Sequence, residues 1–158
     1  MTVTVISVGN LKEGYLKEAV AEYKKRLAQY ARVEDVELRE ERIANELDKS
    51  EIERALDAEA TKILAAIPQG AYKIALCVEG KQLDSEGLAD VVRSAMDSTG
   101  KLALIIGSSH GLSTKVKANC DLKLSFSRLT FPHQLIRVNL YEAVYRSFTI
   151  IAGKRYHK

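Results

Sequence analysis

The amino-acid sequence predicts an α/β domain with a mostly parallel sheet flanked by helices. Three observations predict it. Runs rich in β-branched residues alternate with amphipathic stretches along the whole chain, the order that gives α/β folds. Two runs, Tyr72–Val78 and Lys101–Ile106, are almost wholly apolar, as strands covered on both faces are. The 158 residues suffice for one domain whose core needs neither disulfides nor structural metal.

The elements follow in order. Val3–Val8 is the first strand and stops at Gly9-Asn10. Asn10 is a candidate cap for a helix over 11–31, in which Tyr15, Ala19, Tyr23, Leu27 and Tyr30 recur at three- and four-residue steps. Val33–Leu38 alternates as a second strand. The charged stretch 39–49 has no clean period and reads as a mobile loop. Ser50 with Glu53 forms a capping box for a helix to about Ile67, closed by Pro68-Gln69-Gly70. After the Tyr72–Val78 strand, Glu79-Gly80-Lys81 reads as a turn. Asp84 or Ser85 opens a helix to about Ser98. Lys101–Ile106 runs into Gly107-Ser108-Ser109-His110-Gly111, and a short helix starts near Ser113. Leu122–Phe126 is the last strand. Pro132 suits the first turn of a final helix, with Leu135, Val138, Tyr141, Val144, Tyr145 and Phe148 on its apolar side, and Gly153 ends it.

Charge narrows the partners. The net charge is only +3, but it is unevenly placed. Residues 1–114 hold 15 Lys and Arg against 19 Asp and Glu, whereas residues 115–158 hold 9 against 2. A basic C-terminal quarter fits an anionic partner such as RNA phosphate, and equally a solvated basic face. Cys77 and Cys120 are far apart and read as buried thiols; the three histidines are too dispersed for a zinc site. The N-terminus lacks a basic start and a long apolar stretch, so it reads as a strand, not a signal peptide, and no run has the length of a membrane span. The expected location is the cytoplasm.

In such sheets, ligands bind where loops leave the carboxyl ends of strands. The Gly107–Gly111 loop lets backbone approach a ligand, yet it matches neither a dinucleotide fingerprint nor a P-loop, and an ordinary turn reads equally well. The stretch Leu124–Gln134 joins a strand to a proline-started helix and offers either a pocket wall for an adenine ring or a tight core connection. The tail Lys154-Arg155-Tyr156-His157-Lys158 sets cations around an aromatic ring; this suits phosphate contact and base stacking, or a frayed terminus. No Ser-His-Asp set and no carboxylate pair stands out, which counts against hydrolysis built on them.

Taken together, these segments resemble the RlmH family of SPOUT-superfamily methyltransferases over essentially the full length. Four stretches carry the likeness: Val5–Lys12, Leu76–Lys81, Ile106–Leu112, and Leu124–Tyr145 with Ser127-Arg128-Leu129-Thr130-Phe131-Pro132-His133, Arg137 and Glu142, followed by Tyr156-His157-Lys158. One departure stands out. The family usually has two adjacent glycines where this chain has Gly107-Ser108, and serine disfavours positive φ. A normal φ at Ser108 is the expectation.

The resemblance implies a single SPOUT domain over 1–158, with a C-terminal deep trefoil knot and the cofactor site within about 72–158. It implies S-adenosylmethionine as methyl donor, without metal, bound by Leu76, Gly107, Phe126, Ser127, Arg128, Leu129, Thr130 and Phe131. It implies methylation at N3 of a pseudouridine in 23S ribosomal RNA, on the assembled ribosome, by a homodimer with no membrane partner. His157, Glu142, Arg146 and Tyr156 are the catalytic candidates. His157 ranks first as proton acceptor, and Glu142 serves alternatively to orient Arg146. His133, Arg137, Arg155 and Lys158 are the substrate-binding candidates. A non-enzymatic RNA- or ribosome-binding protein and a methyltransferase of another nucleotide are the competing readings.

Overall fold

The computed structural model describes residues 1–157. Five strands, β1 (Thr2–Val8), β2 (Arg32–Leu38), β3 (Tyr72–Gln82), β4 (Lys101–Ile106) and β5 (Leu122–Ser125), form one sheet in the order β2-β1-β4-β3-β5. Every pairing is parallel. Five helices separate or follow them: α1 (Gly14–Leu27), α2 (Lys49–Ala66), α3 (Ser85–Ser98), α4 (Thr114–Asn119) and α5 (His133–Ile151). The predicted fold class is the observed one.

Alternation along the strands sorts two cores. Val3, Val5, Ile74, Leu102 and Leu104 face one side, where Val20, Leu27, Val92, Leu140 and Val144 of α1, α3 and α5 cover them. Ile6, Val8, Ala75 and Ile105 face the other, under Ala60 and Ile63 of α2 and Val116 of α4. Successive side chains of a strand point to opposite faces, so a strand covered on both sides must be apolar throughout. No helix among the described residues is long and apolar enough to cross a membrane.

Several boundaries differ from the sequence expectation, each for a physical reason. Asn10 does not cap α1, which starts at Gly14 with no side-chain cap. Residues 11 and 12 are used elsewhere: Leu11 enters the core, and the Lys12 N–H donates to Gln134 Oε1 at 2.8 Å. α1 also stops at Leu27, not Ala31. Asp48, not Ser50, caps α2, accepting from the N–H groups of Ser50 and Glu51. On α5, Pro132 occupies the cap position and Leu135 is 40% exposed, not buried.

The largest difference is in β3. The expected turn at Glu79-Gly80-Lys81 is strand, because β3 runs on to Gln82. Its register against β5 slips, so Leu76 and Lys81 both stand opposite Leu124. Cys77–Gly80 bow out between them as an irregular excursion. Gly80 is required by proximity: a Cβ there would lie 2.6 Å from the Leu124 carbonyl carbon.

The stretch 39–48 is irregular, as expected, but it is tethered. The Glu41 N–H donates to Glu59, the Glu41 side chain pairs with Lys62, and Glu51 accepts from the N–H groups of Ala44 and Asn45.

Candidate functional site

A cavity of about 680 Å³ opens at the carboxyl ends of β3, β4 and β5, a size usual for a small-molecule site. Three backbone segments make it. The β3 excursion gives Cys77, Val78 and Glu79; the glycine loop gives Gly107–Leu112; the β5–α5 connection gives Phe126, Ser127 and Leu129–His133.

The glycine loop is built for tightness. The Gly111 N–H donates to the Ser108 carbonyl at 2.9 Å, closing a short turn, and Gly111 takes φ +85°. A Cβ on Gly107 would lie 2.1 Å from the Gly111 carbonyl oxygen, so only glycine fits there. Ser108 meets the expectation for it, since no residue other than glycine has positive φ among the described residues. It is buried, and its hydroxyl donates to Glu59 Oε2 at 2.9 Å.

The connection after β5 is braced by its own serines. The Ser125 hydroxyl donates to the Ser127 carbonyl at 2.9 Å, and Ser127 Oγ accepts from the Leu129 N–H at 3.0 Å. The second bond holds Leu129 at the rim, where its side chain is 74% exposed. At the opposite rim the Lys117 ammonium bonds Glu79 and holds that carboxyl below the usual range. Burial pushes the Cys77 thiol up, so it remains protonated and apolar in character.

Seven of the eight residues expected at the donor site line this cavity: Leu76, Gly107, Phe126, Ser127, Leu129, Thr130 and Phe131. Arg128 does not. Its side chain is exposed outside the lining. His133, expected at the substrate, lines the cavity as well. Lys117 and Ile136 are lining residues that sequence reasoning missed. No local motif marks them, since helix packing brings them in.

The catalytic candidates form a second group, on the far half of α5. Glu142 bonds the Arg146 guanidinium and accepts from the Tyr156 hydroxyl at 3.2 Å. Tyr156 packs edge-on to Tyr145 with ring centroids 4.9 Å apart, and Arg146 lies over its ring at 4.9 Å. Burial, reinforced by the Glu142 charge, pushes the Tyr156 phenol up to about 12. Glu142 is thus engaged by both a guanidinium and a phenol. His157 and Arg155 are exposed beside this group. Lys158 lies outside the described residues.

Arg137 is corrected in position. Expected to meet RNA, it is 4% exposed, and its guanidinium pairs with Glu37 of β2 at 2.7 Å. One helical turn before Tyr141, it shares the face that α5 turns to the sheet. Its Nε has no hydrogen-bond partner among the described residues. No group of three or more His, Cys, Asp or Glu gathers as a metal set among the described residues.

Relatives place this geometry. A family described as "Predicted SPOUT methyltransferase" matches residues 1–157. The chain is 46% identical over 156 residues to the ribosomal RNA large subunit methyltransferase H of Caldicellulosiruptor bescii, covering 99% of each chain. It is 45% identical to the protein of the same name from Bacillus pumilus, over the whole of both. A solved chain from work on the 2-OH methylation of C/U34 on tRNA shares the fold, with TM-score 0.52 at 15% identity, over 97% of this chain and 98% of that one. The chain belongs to the SPOUT methyltransferases and, within them, to the family of the ribosomal RNA large subunit methyltransferases H.

Proposed function

We propose that this chain transfers the methyl group of S-adenosylmethionine to N3 of a pseudouridine in large-subunit ribosomal RNA, in the cytoplasm, as a homodimer acting on the assembled ribosome. The observation that carries the reading is the cavity between Gly107 and Leu129, found in a chain about 45% identical along its length to ribosomal RNA methyltransferases.

The residues present fit such a donor. Leu76, Leu112, Phe126 and Ile136 give apolar walls for an adenine ring, and the two loops present backbone groups that no strand ladder uses. The tightness at Gly107 lets one loop fold closely beneath the ligand. When bound, S-adenosylmethionine supplies a methyl group already activated on a sulfonium. The protein orients that methyl and excludes water, and orientation alone supplies much of an enzyme's acceleration. The Leu129 and Phe131 side chains at the rim serve exclusion.

N3 of the acceptor must lose a proton before it attacks. His157 is the group assigned to take it; Glu142 is already occupied by Arg146 and Tyr156. In its own chain Tyr156 docks beside Glu142, nine residues along α5 from His133, or roughly 14 Å at 1.5 Å per residue. A second copy that brings its tail to this cavity closes that gap, which supports the homodimer. Arg128 and Arg155, both exposed, would hold RNA phosphates, and Lys158 is assigned with them. Arg137 keeps a role only through the position of α5. The trefoil knot and the single domain over 1–158, with its donor site within 72–158, belong to the same reading. The close approach of Gly80 to the Leu124 backbone supports a tightly drawn C-terminal segment.

Two measurements test it together. Calorimetry of the purified protein with S-adenosylmethionine is expected to show binding. Nucleoside mass spectrometry of ribosomal RNA, from cells with and without the gene, is expected to show one N3-methylpseudouridine lost. Absence of donor binding, or loss of a different methylated nucleoside, overturns the assignment.

A further inference from the structure

We propose that Glu59, on the helix behind the cavity, is a positioning residue that holds the glycine loop in its ligand-binding shape through Ser108. This rests on the reading of the cavity as a methyl-donor site.

Glu59 lies on the buried face of α2, where its companions are Ala55, Ala60 and Ile63. Its side chain is 3% exposed. Among the described residues none of the ion pairs includes it, and the charges that bear on it, Glu40 and Glu41, have its own sign. Burial accordingly raises its pKa. An aliphatic residue there would continue the apolar face, whereas a buried carboxylate is costly unless its hydrogen bonds repay it. Both oxygens are engaged. Oε2 accepts from the Ser108 hydroxyl at 2.9 Å, and Oε1 accepts from the Glu41 N–H at 3.0 Å. One side chain thus joins α2, the tethered stretch 39–48 and the glycine loop.

Ser109, the next residue of that loop, is held at the surface. Its hydroxyl donates to Glu40 Oε1 at 3.1 Å. Both serines line the cavity. The loop is therefore anchored at two consecutive positions, from behind at Ser108 and at the surface at Ser109, on a turn that Gly107 and Gly111 already make tight. Releasing Ser108 leaves the loop backbone free to relax, and a ligand that reads backbone positions feels the change.

The experiment measures S-adenosylmethionine affinity by calorimetry, the donor KM and kcat, and the melting temperature. The proteins are wild type, S108A, E59A, E59Q and S108A/E59A. Hydrogen bonds to charged groups are worth enough that S108A and E59A should each weaken donor binding about tenfold. The double variant should be no weaker than E59A, because both changes break one link. The loss should fall on donor KM and not on turnover at saturating donor. E59Q should stay within about twofold, since a buried amide can accept from Glu41 and donate to Ser108 Oγ. Unchanged donor affinity in S108A and E59A, or losses that simply add, overturns the proposal. S108A opens no large cavity, so unchanged donor affinity in it overturns the proposal even if E59A fails to fold. Wild-type protein that binds no donor overturns the reading of the cavity itself; wild-type binding with indifferent variants overturns only the role of Glu59.

Discussion

The two ends of α5 hold two differently built sites. At its N-terminus the cavity is framed by three irregular backbone segments, a strand excursion, a glycine loop and a short connection, with apolar side chains for walls and few charged groups at the rim. At its C-terminal half the group is made of side chains: Glu142, Arg146, Tyr145 and Tyr156, bonded and stacked on one another. A backbone site is set by the fold and resists most substitutions that leave the chain path alone. A side-chain site is set by residue identity and is easy to dismantle one group at a time. On the proposed function, donor binding falls to the first end and acceptor chemistry to the second.

Perturbations that strike one end only are the sharpest test of that division. The largest effect is expected from truncating the chain before Tyr156. Loss of groups that align and deprotonate an acceptor should cut turnover at least about 100-fold, while donor affinity measured by calorimetry stays within about twofold. Equal losses of both would merge the two sites into one. Next comes Gly107→Ala. Its Cβ would meet the Gly111 carbonyl oxygen at 2.1 Å, so the loop must move. Overpacking of this kind costs about 1–3 kcal/mol, and donor affinity should fall by about 30-fold or more. Wild-type affinity in this variant would mean the loop does not touch the donor.

Smaller effects refine the picture. Arg155→Ala should lower the slope of log affinity for ribosomal RNA against log salt by about one, as for one phosphate contact removed; a slope equal to wild type would detach Arg155 from the RNA. The smallest expected effect is on stability against pH. Glu59 has a pKa raised by burial above its ordinary 4.5. The folded state therefore keeps this proton to higher pH than the unfolded state does. Its contribution to stability is greatest below pH 4.5 and is lost as pH rises through the raised folded value. Glu59→Gln should thus gain on wild type across that window in denaturant titrations, then keep a constant margin. A margin that is independent of pH would mean that Glu59 titrates alike in the folded and unfolded chain.

Much of this was legible in the residues, and the failures share a cause. β-branched and apolar runs marked the inner strands β1, β3 and β4, because two-sided burial demands them, whereas alternation marked the edge strand β2. The glycine loop and the β5–α5 connection were visible as stretches able to meet a ligand, but an ordinary turn and a tight core connection read as well there, and only the family resemblance separated the readings. Glu79-Gly80-Lys81 misled because turn chemistry and close strand approach both call for glycine, and only the partner strand distinguishes them. Asn10 misled because a cap needs the chain to enter the helix directly, and Leu11 enters the core first. Arg137 and Glu59 share a different lesson. Each sits at helical spacing from buried neighbours, Arg137 from Tyr141 and Glu59 from Ala55 and Ile63, so burial was readable. Their partners, Glu37 and Ser108, are 100 and 49 residues away, and no local pattern joins them.

The span of α5 has an evolutionary and practical consequence. A single rigid rod sets the separation between the cavity edge at His133 and the cluster at Glu142. Exchanging surface residues along it leaves that separation intact. Inserting or deleting one residue swings everything beyond by about 100° and shifts it by about 1.5 Å, which points the distal cluster at the wrong place. This segment should therefore accept changes of spelling and refuse changes of length, and engineered linkers or tags belong anywhere but between those two residues.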